Sequence, residues 1–172
     1  MNEMETRSEL PPLASSAEWI GWTSTQLRPV AEHAIDTVPA DVLVFEPGSN
    51  DLRDSMFTPD PNVALAQYAA DRDAVLDRAR AKGLCVVGVE VALRNDTKGF
   101  LSFGPGWNRS AASAFTSRSG VWVEWQRLSA DHPEWFVEDG LHHTAAGSEA
   151  FAGAIAYGAA LCRTDGAPVG GR

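Results

Sequence analysis

Val42-Leu43-Val44-Phe45-Glu46-Pro47-Gly48-Ser49-Asn50-Asp51 is an apolar run that breaks at Pro-Gly and sets an Asn just past its end. Residues 41–46 read as a strand. Its consecutive apolar side chains fit a parallel sheet covered by helices on both faces. In open α/β sheets the carboxyl ends of the strands form the ligand-binding edge, which makes Asn50 a candidate site residue. Residues 84–93 and 121–126 repeat the strand pattern. Helical spacing fills the intervals. Leu27, Val30, Ala31, Ala34, Ile35 and Val38 share one face, with Pro29 in the first turn and Pro39 at the stop. Asp60-Pro61 reads as a cap and first position for a helix that carries Leu65, Tyr68, Ala69, Leu76 and Ala79 on one side and ends at Gly83. The Gly- and Phe-rich residues 94–107 read as a loop and candidate pocket wall, followed by a short helix over 108–116. A last helix over 144–161 turns Phe151, Ala154, Ile155, Gly158 and Cys162 inward. Helices alternating with strands predict an α/β fold, a three-layer sandwich around a parallel sheet. The expected organisation is an irregular segment over 1–18, one domain over 19–162 and a flexible tail over 163–172.

The second informative stretch is Glu138-Asp139-Gly140-Leu141-His142-His143-Thr144-Ala145-Ala146-Gly147. An Asp three residues before a His can accept the Nδ1 proton and fix the tautomer. Nε2 is then left to take a proton from a nucleophile. Plainer readings stand beside this one. Asp139 could cap the following helix, Asn50 could close an Asx-turn, and Asp51 could pair with Arg53 or Arg94. His143 is either solvent-exposed or the functional histidine of a turn shifted by one.

Composition narrows the function. Twenty-three acidic against 14 basic residues give a net charge of −9, which excludes a general phosphate-backbone binder and makes nucleic acid an unexpected partner. The two cysteines, Cys85 and Cys162, read as buried free thiols rather than a bridge. With no C-x-x-C or Cys/His cluster, a structural zinc is not expected. A metal site on Asp139, His142 and His143 is disfavoured, because adjacent loop histidines tend to point apart. No apolar run is long enough to span a membrane. The polar N-terminus has no signal-peptide core, so the expected location is cytoplasmic.

In this order and topology the two stretches resemble the SGNH (GDSL-like) hydrolases. Gly48-Ser49-Asn50-Asp51 is similar to that family's third block, G-x-N-D. Asp139-Gly140-Leu141-His142 is similar to its fifth, D-x-x-H, with Thr144 and Gly147 also fitting, and Val121-Trp122-Val123-Glu124-Trp125 resembles the strand before it. The resemblance implies a flavodoxin-like sandwich that hydrolyses an acyl ester through a Ser-His-Asp arrangement. His142 would be the general base and Asp139 its orienter. Asn50 would be an oxyanion donor, and Gly21 the source of a second donor from its backbone N–H. It implies no metal and no organic cofactor. The substrate would be a small-molecule acyl ester such as an acylated carbohydrate or a lipid.

The first block, G-D-S, has no counterpart here. Ser8, Ser15, Ser16, Ser24 and Ser49 precede Asn50, and none follows an apolar strand and Gly-Asp. The nucleophile is therefore unknown and the fold's first strand is missing. Three readings remain: a piece of an active hydrolase, a relative that binds ligand without a nucleophile, or an unrecognised serine. A sheet without its central strand also predicts association through the open edge.

Overall fold

Side chains alternate across three short parallel strands and sort the core into two halves. The structure is a computed structural model that describes residues 21–46, 48–55, 57–91 and 100–164. In chain order the elements are α1 (Ser24–Thr37), β1 (Val42–Phe45), α2 (Ser49–Ser55), α3 (Pro61–Ala81), β2 (Cys85–Val89), α4 (Phe100–Thr116), β3 (Val121–Val123), α5 (Trp125–Leu128), a 3-10 turn (Pro133–Trp135) and α6 (Ala145–Thr164). The sheet order is β1-β2-β3, all parallel, with Val42 opposite Cys85 and Val87 opposite Val121. Among the described residues β1 pairs on one side only. The α/β sandwich read from the sequence is the fold observed. The expected irregular segment 1–18, residues 165–172 of the expected tail over 163–172, and the residues Trp19, Pro47 and Arg94 lie outside the described residues; residues 163 and 164 belong to α6.

Two helix starts have a clear local cause. At α1 the Thr23 backbone N–H donates to the Gln26 side chain (2.9 Å), half of a capping box. At α3 the Asp60 carboxylate accepts from the Asn62 N–H (2.9 Å) ahead of Pro61. On one sheet face, Leu43, Phe45, Val86 and Trp122 pack with Ile35 of α1, Val75, Leu76 and Ala79 of α3, and Ala114 and Phe115 of α4. On the other, Val87, Val89 and Val123 pack with Phe151, Ala154, Ile155 and Ala159 of α6.

The structure corrects the sequence reading in several places. The expected loop over 94–107 is helical from Phe100, eight residues before the expected start at Asn108. Gly104, Pro105 and Gly106 argue locally for a loop. Burial of Trp107, Ala111, Ala114 and Phe115 on one stripe overrides that propensity. The last strand stops at Val123, because Trp125 turns into α5 and is fully buried there. Ser49–Ser55, where the sequence offers an Asx-turn at Asn50, forms α2.

Asp51 does not pair with Arg53. Its carboxylate accepts the Ser24 backbone N–H (3.0 and 2.8 Å) and the Ser24 hydroxyl (2.6 Å), which pins the start of α1 to α2. Burial raises the Asp51 carboxyl above its ordinary value, and the bonds from Ser24 oppose that rise. Arg53 pairs with Asp54 instead.

The cysteines are not free thiols. Cys85 and Cys162 form a disulfide, with Cα atoms 5.8 Å apart. α6 runs back over the sheet, so its last turn lies over the first residue of β2. A separation of 77 residues carries no local signal for that meeting.

Candidate active site

The site is built at the carboxyl edge of the sheet. β1 ends at Phe45, and the chain reverses at Gly48 (φ +119°) before entering α2. A side chain on Gly48 has no room. A Cβ there would stand 2.7 Å from the Trp107 indole nitrogen and 2.9 Å from the Tyr68 ring. Those two rings stack with centroids 4.3 Å apart, and both are almost fully buried. Gly48 thus lies directly against an aromatic floor, and the turn sets Asn50 two residues beyond it. The Asn50 amide donates to the Trp22 carbonyl (3.0 Å), next to Gly21, which turns the chain into α1 at φ +83°. An amide –NH₂ has two N–H groups, so this bond orients Asn50 and leaves the second one available.

Asp139 and His142 meet as the spacing suggests. His142 Nδ1 lies 2.6 Å from Asp139 Oδ2, and Asp139 Oδ1 accepts the backbone N–H groups of Leu141 (2.8 Å) and His142 (2.9 Å). The carboxylate therefore both closes the turn and orients the ring. It does not cap the following helix, whose start is closed by the Thr144 hydroxyl accepting the Gly147 N–H (3.2 Å). The His142 ring bond first, then the two backbone donors, hold the Asp139 carboxyl down at about 2. The His142 side chain is 77% exposed. Leu141 beside it packs with Leu52, Tyr68, Val91 and Trp107, so the loop carrying His142 and the helix carrying Asn50 share one apolar cluster.

The depressed Asp139 pKa has a sign. A carboxyl whose folded value lies below its unfolded value contributes stability above the unfolded value, 3.8, and loses it as pH falls toward about 2. Acid unfolding followed by circular dichroism should show that segment, and Asp139→Ala should flatten it.

No serine stands among the described partners of the His142 ring. Ser24 is buried and bonded to Asp51; Ser55 is buried and donates to the Leu52 carbonyl (2.7 Å); the Ser49 hydroxyl faces Glu46 (3.5 Å). His143 is half-buried and accepts from the Trp125 indole (3.0 Å). That excludes it as the open base of a shifted turn. The aromatic floor of Tyr68 and Trp107 and the Ser24–Asp51 bond escaped the sequence reading, since neither has a local signature. Beside the floor lies a cleft of about 260 Å³ between α3 and α4, bordered by Ser55, Asn62, Leu65, Trp107 and Arg109.

No family model and no curated protein matches the sequence. Solved structures do match the fold. An acetylxylan esterase from Geobacillus stearothermophilus superposes with a TM-score of 0.66 at 17% identity, over 81% of this chain and 68% of that one. A GDSL-like lipase from Bacteroides thetaiotaomicron gives 0.67 at 16% identity, over 82% and 72%. An α/β hydrolase from the metagenome of Lake Arreo, Spain, gives 0.68 at 16% identity, over 83% and 70%. The chain has the SGNH hydrolase-like fold. Within that SGNH-like frame, the turn carrying Asn50 and the loop carrying Asp139 and His142 both lie at the carboxyl edge of the sheet.

Proposed function

We propose that this chain is an SGNH-type acyl-ester hydrolase domain with His142 as general base and Asp139 as its orienter. The observation that carries this reading is the 2.6 Å Asp139–His142 bond, with the ring otherwise open to solvent. Asp139 holds the proton on Nδ1. Nε2 takes the proton of an attacking serine hydroxyl as its oxygen bonds to the ester carbon, and later returns it to the departing alcohol. The second N–H of Asn50 and the backbone N–H of Gly21 donate to the oxyanion, a role that typically supports ~10²–10³ in turnover per donor. The residues proposed to act need no metal or organic cofactor. The substrate proposed is a small acyl ester, an acylated carbohydrate ahead of a lipid, because the nearby cleft mixes apolar walls with Ser55, Asn62 and Arg109.

A second reading is a ligand-binding relative without chemistry. It is favoured by the contacts of Ser24 and Ser55, each buried in a structural hydrogen bond. The two readings separate by intact mass after treatment with a fluorophosphonate. The hydrolase reading expects one adduct on the chain and none on His142→Ala, with peptide mapping naming the serine. A folded chain that takes no adduct carries no activated serine, as in the binding reading or in a piece of a hydrolase.

No helix among the described residues is long and apolar enough to cross a membrane. The Cys85–Cys162 bond supports maturation in an oxidising compartment, against the cytoplasmic expectation.

A further inference from the structure

We infer that His143 is a positioning residue for His142, acting through a hydrogen bond from Trp125 that exists only while His143 is neutral. The inference rests on the reading of His142 as the base.

The geometry is specific. Trp125 Nε1 lies 3.0 Å from His143 Nε2. An indole N–H can only donate, so Nε2 must be bare and the His143 proton must sit on Nδ1. The His143 ring is held in an aromatic slot, with centroids 5.4 Å from Trp125, 5.2 Å from Phe136 and 4.9 Å from Phe151. Trp125 and Phe136 are buried, and Phe151 comes from α6. The backbone follows the ring. His143 forms a bridge with Phe136, the Val137 N–H donates to the His142 carbonyl (2.9 Å), and the Thr144 N–H donates to the Trp135 carbonyl (2.9 Å).

Leu141 and His143 therefore anchor on opposite sides of the sheet edge. Leu141 enters the cluster of Leu52, Tyr68, Val91 and Trp107, while His143 enters the cluster under α6. Side chains two apart in an extended stretch usually share a face. Here the turn that starts at Gly140 (φ +66°) separates them and leaves His142 between two anchors, facing solvent. One anchor is permanently apolar. The other can be switched.

Protonating His143 Nε2 would set an N–H against the Trp125 N–H and place a cation among aromatic rings. Burial, and secondarily the neighbouring His142, hold the His143 pKa below the ordinary imidazole value. The rings that face it, Trp125, Phe136 and Phe151, carry no charge; His142 is the titratable neighbour. Below that transition the ring leaves its slot, and the 142–143 backbone moves with it. The Asp139–His142 alignment is then lost.

The test is ¹H–¹⁵N NMR of the Trp125 Nε1–H and the His142 Nδ1–H over falling pH. His142 keeps its Nδ1–H when it is itself protonated, and Asp139 stays ionised to about pH 2. Loss of the His142 signal in the parent chain but not in His143→Gln therefore reports displacement rather than exchange of that proton with solvent. In the parent chain both signals should disappear in one transition below the ordinary imidazole range. His143→Gln supplies an amide oxygen that accepts from Trp125 at any pH, so the His142 signal should persist through that range. Trp125→Phe removes the donor, so the signal should be weakened or absent even at neutral pH, with far-ultraviolet circular dichroism confirming the fold. A His142 signal that outlasts the Trp125 signal in the parent chain, or that is unchanged in folded Trp125→Phe, overturns the inference. No turnover is needed, so this result and a failed fluorophosphonate assay are separate outcomes.

Discussion

Reduction of the Cys85–Cys162 bond lowers the melting temperature by about 8–16 °C. The estimate follows from the 77 residues it spans. Closing a loop of that size in the unfolded chain is worth about 4 kcal/mol, and each kcal/mol moves the midpoint of a domain this large by about 2–4 °C. The bond also sits where its loss matters. Cys85 opens the central strand β2, and Cys162 lies in the last turn of α6. Both half-cystines are buried, so reduction requires local opening or a denaturing pulse. Differential scanning calorimetry with and without reductant, and on Cys85→Ser/Cys162→Ser, checks this. Equal midpoints would mean that α6 is held by Phe151, Ala154 and Ile155 alone.

Gly48→Ala is the other large effect. The backbone at φ +119° is one that side chains rarely adopt, and forcing it costs about 2 kcal/mol. The new methyl also meets Trp107 at 2.7 Å and Tyr68 at 2.9 Å. Both rings are buried, so relieving the overlap costs about 2 kcal/mol more. The sum, about 4 kcal/mol, should appear as a lowered urea midpoint with an unchanged slope. Gly21→Ala is the control. Its φ is +83°, but nothing lies within 4 Å of its Cβ position, so it should lose only the strain. If the two variants are equally destabilised, the aromatic floor yields more easily than its burial implies. Because Asn50 follows two residues later, Gly48→Ala should also displace its amide from the Trp22 carbonyl.

Part of the site was legible because its spacing is local. Asp139 reaches His142 across one turn, and a D-x-x-H pattern states that reach directly. Asn50 follows a strand end by five residues, a distance that a turn alone can set. The partner of Asp51 was missed for the opposite reason. Ser24 is 27 residues away, whereas Arg53, two residues on, is the nearer candidate along the chain. His143 posed a similar difficulty. Exposure and anchorage cannot be told apart until α5, the 3-10 turn and α6 supply Trp125, Phe136 and Phe151 around its ring.

The sequence by itself determined the strands near 42, 85 and 121, the cap at Asp60, the parallel α/β class, the inner face of α6 and the Asp139–His142 pair. These are matters of period, turn chemistry and reach along a few residues. Only the tertiary structure decided the helical state of residues 100–107, the Ser24–Asp51 bond, the Tyr68–Trp107 floor and the Cys85–Cys162 bridge. Each depends on which distant surface covers a residue. Burial against that surface outweighs local propensity, and no spacing along the chain records it.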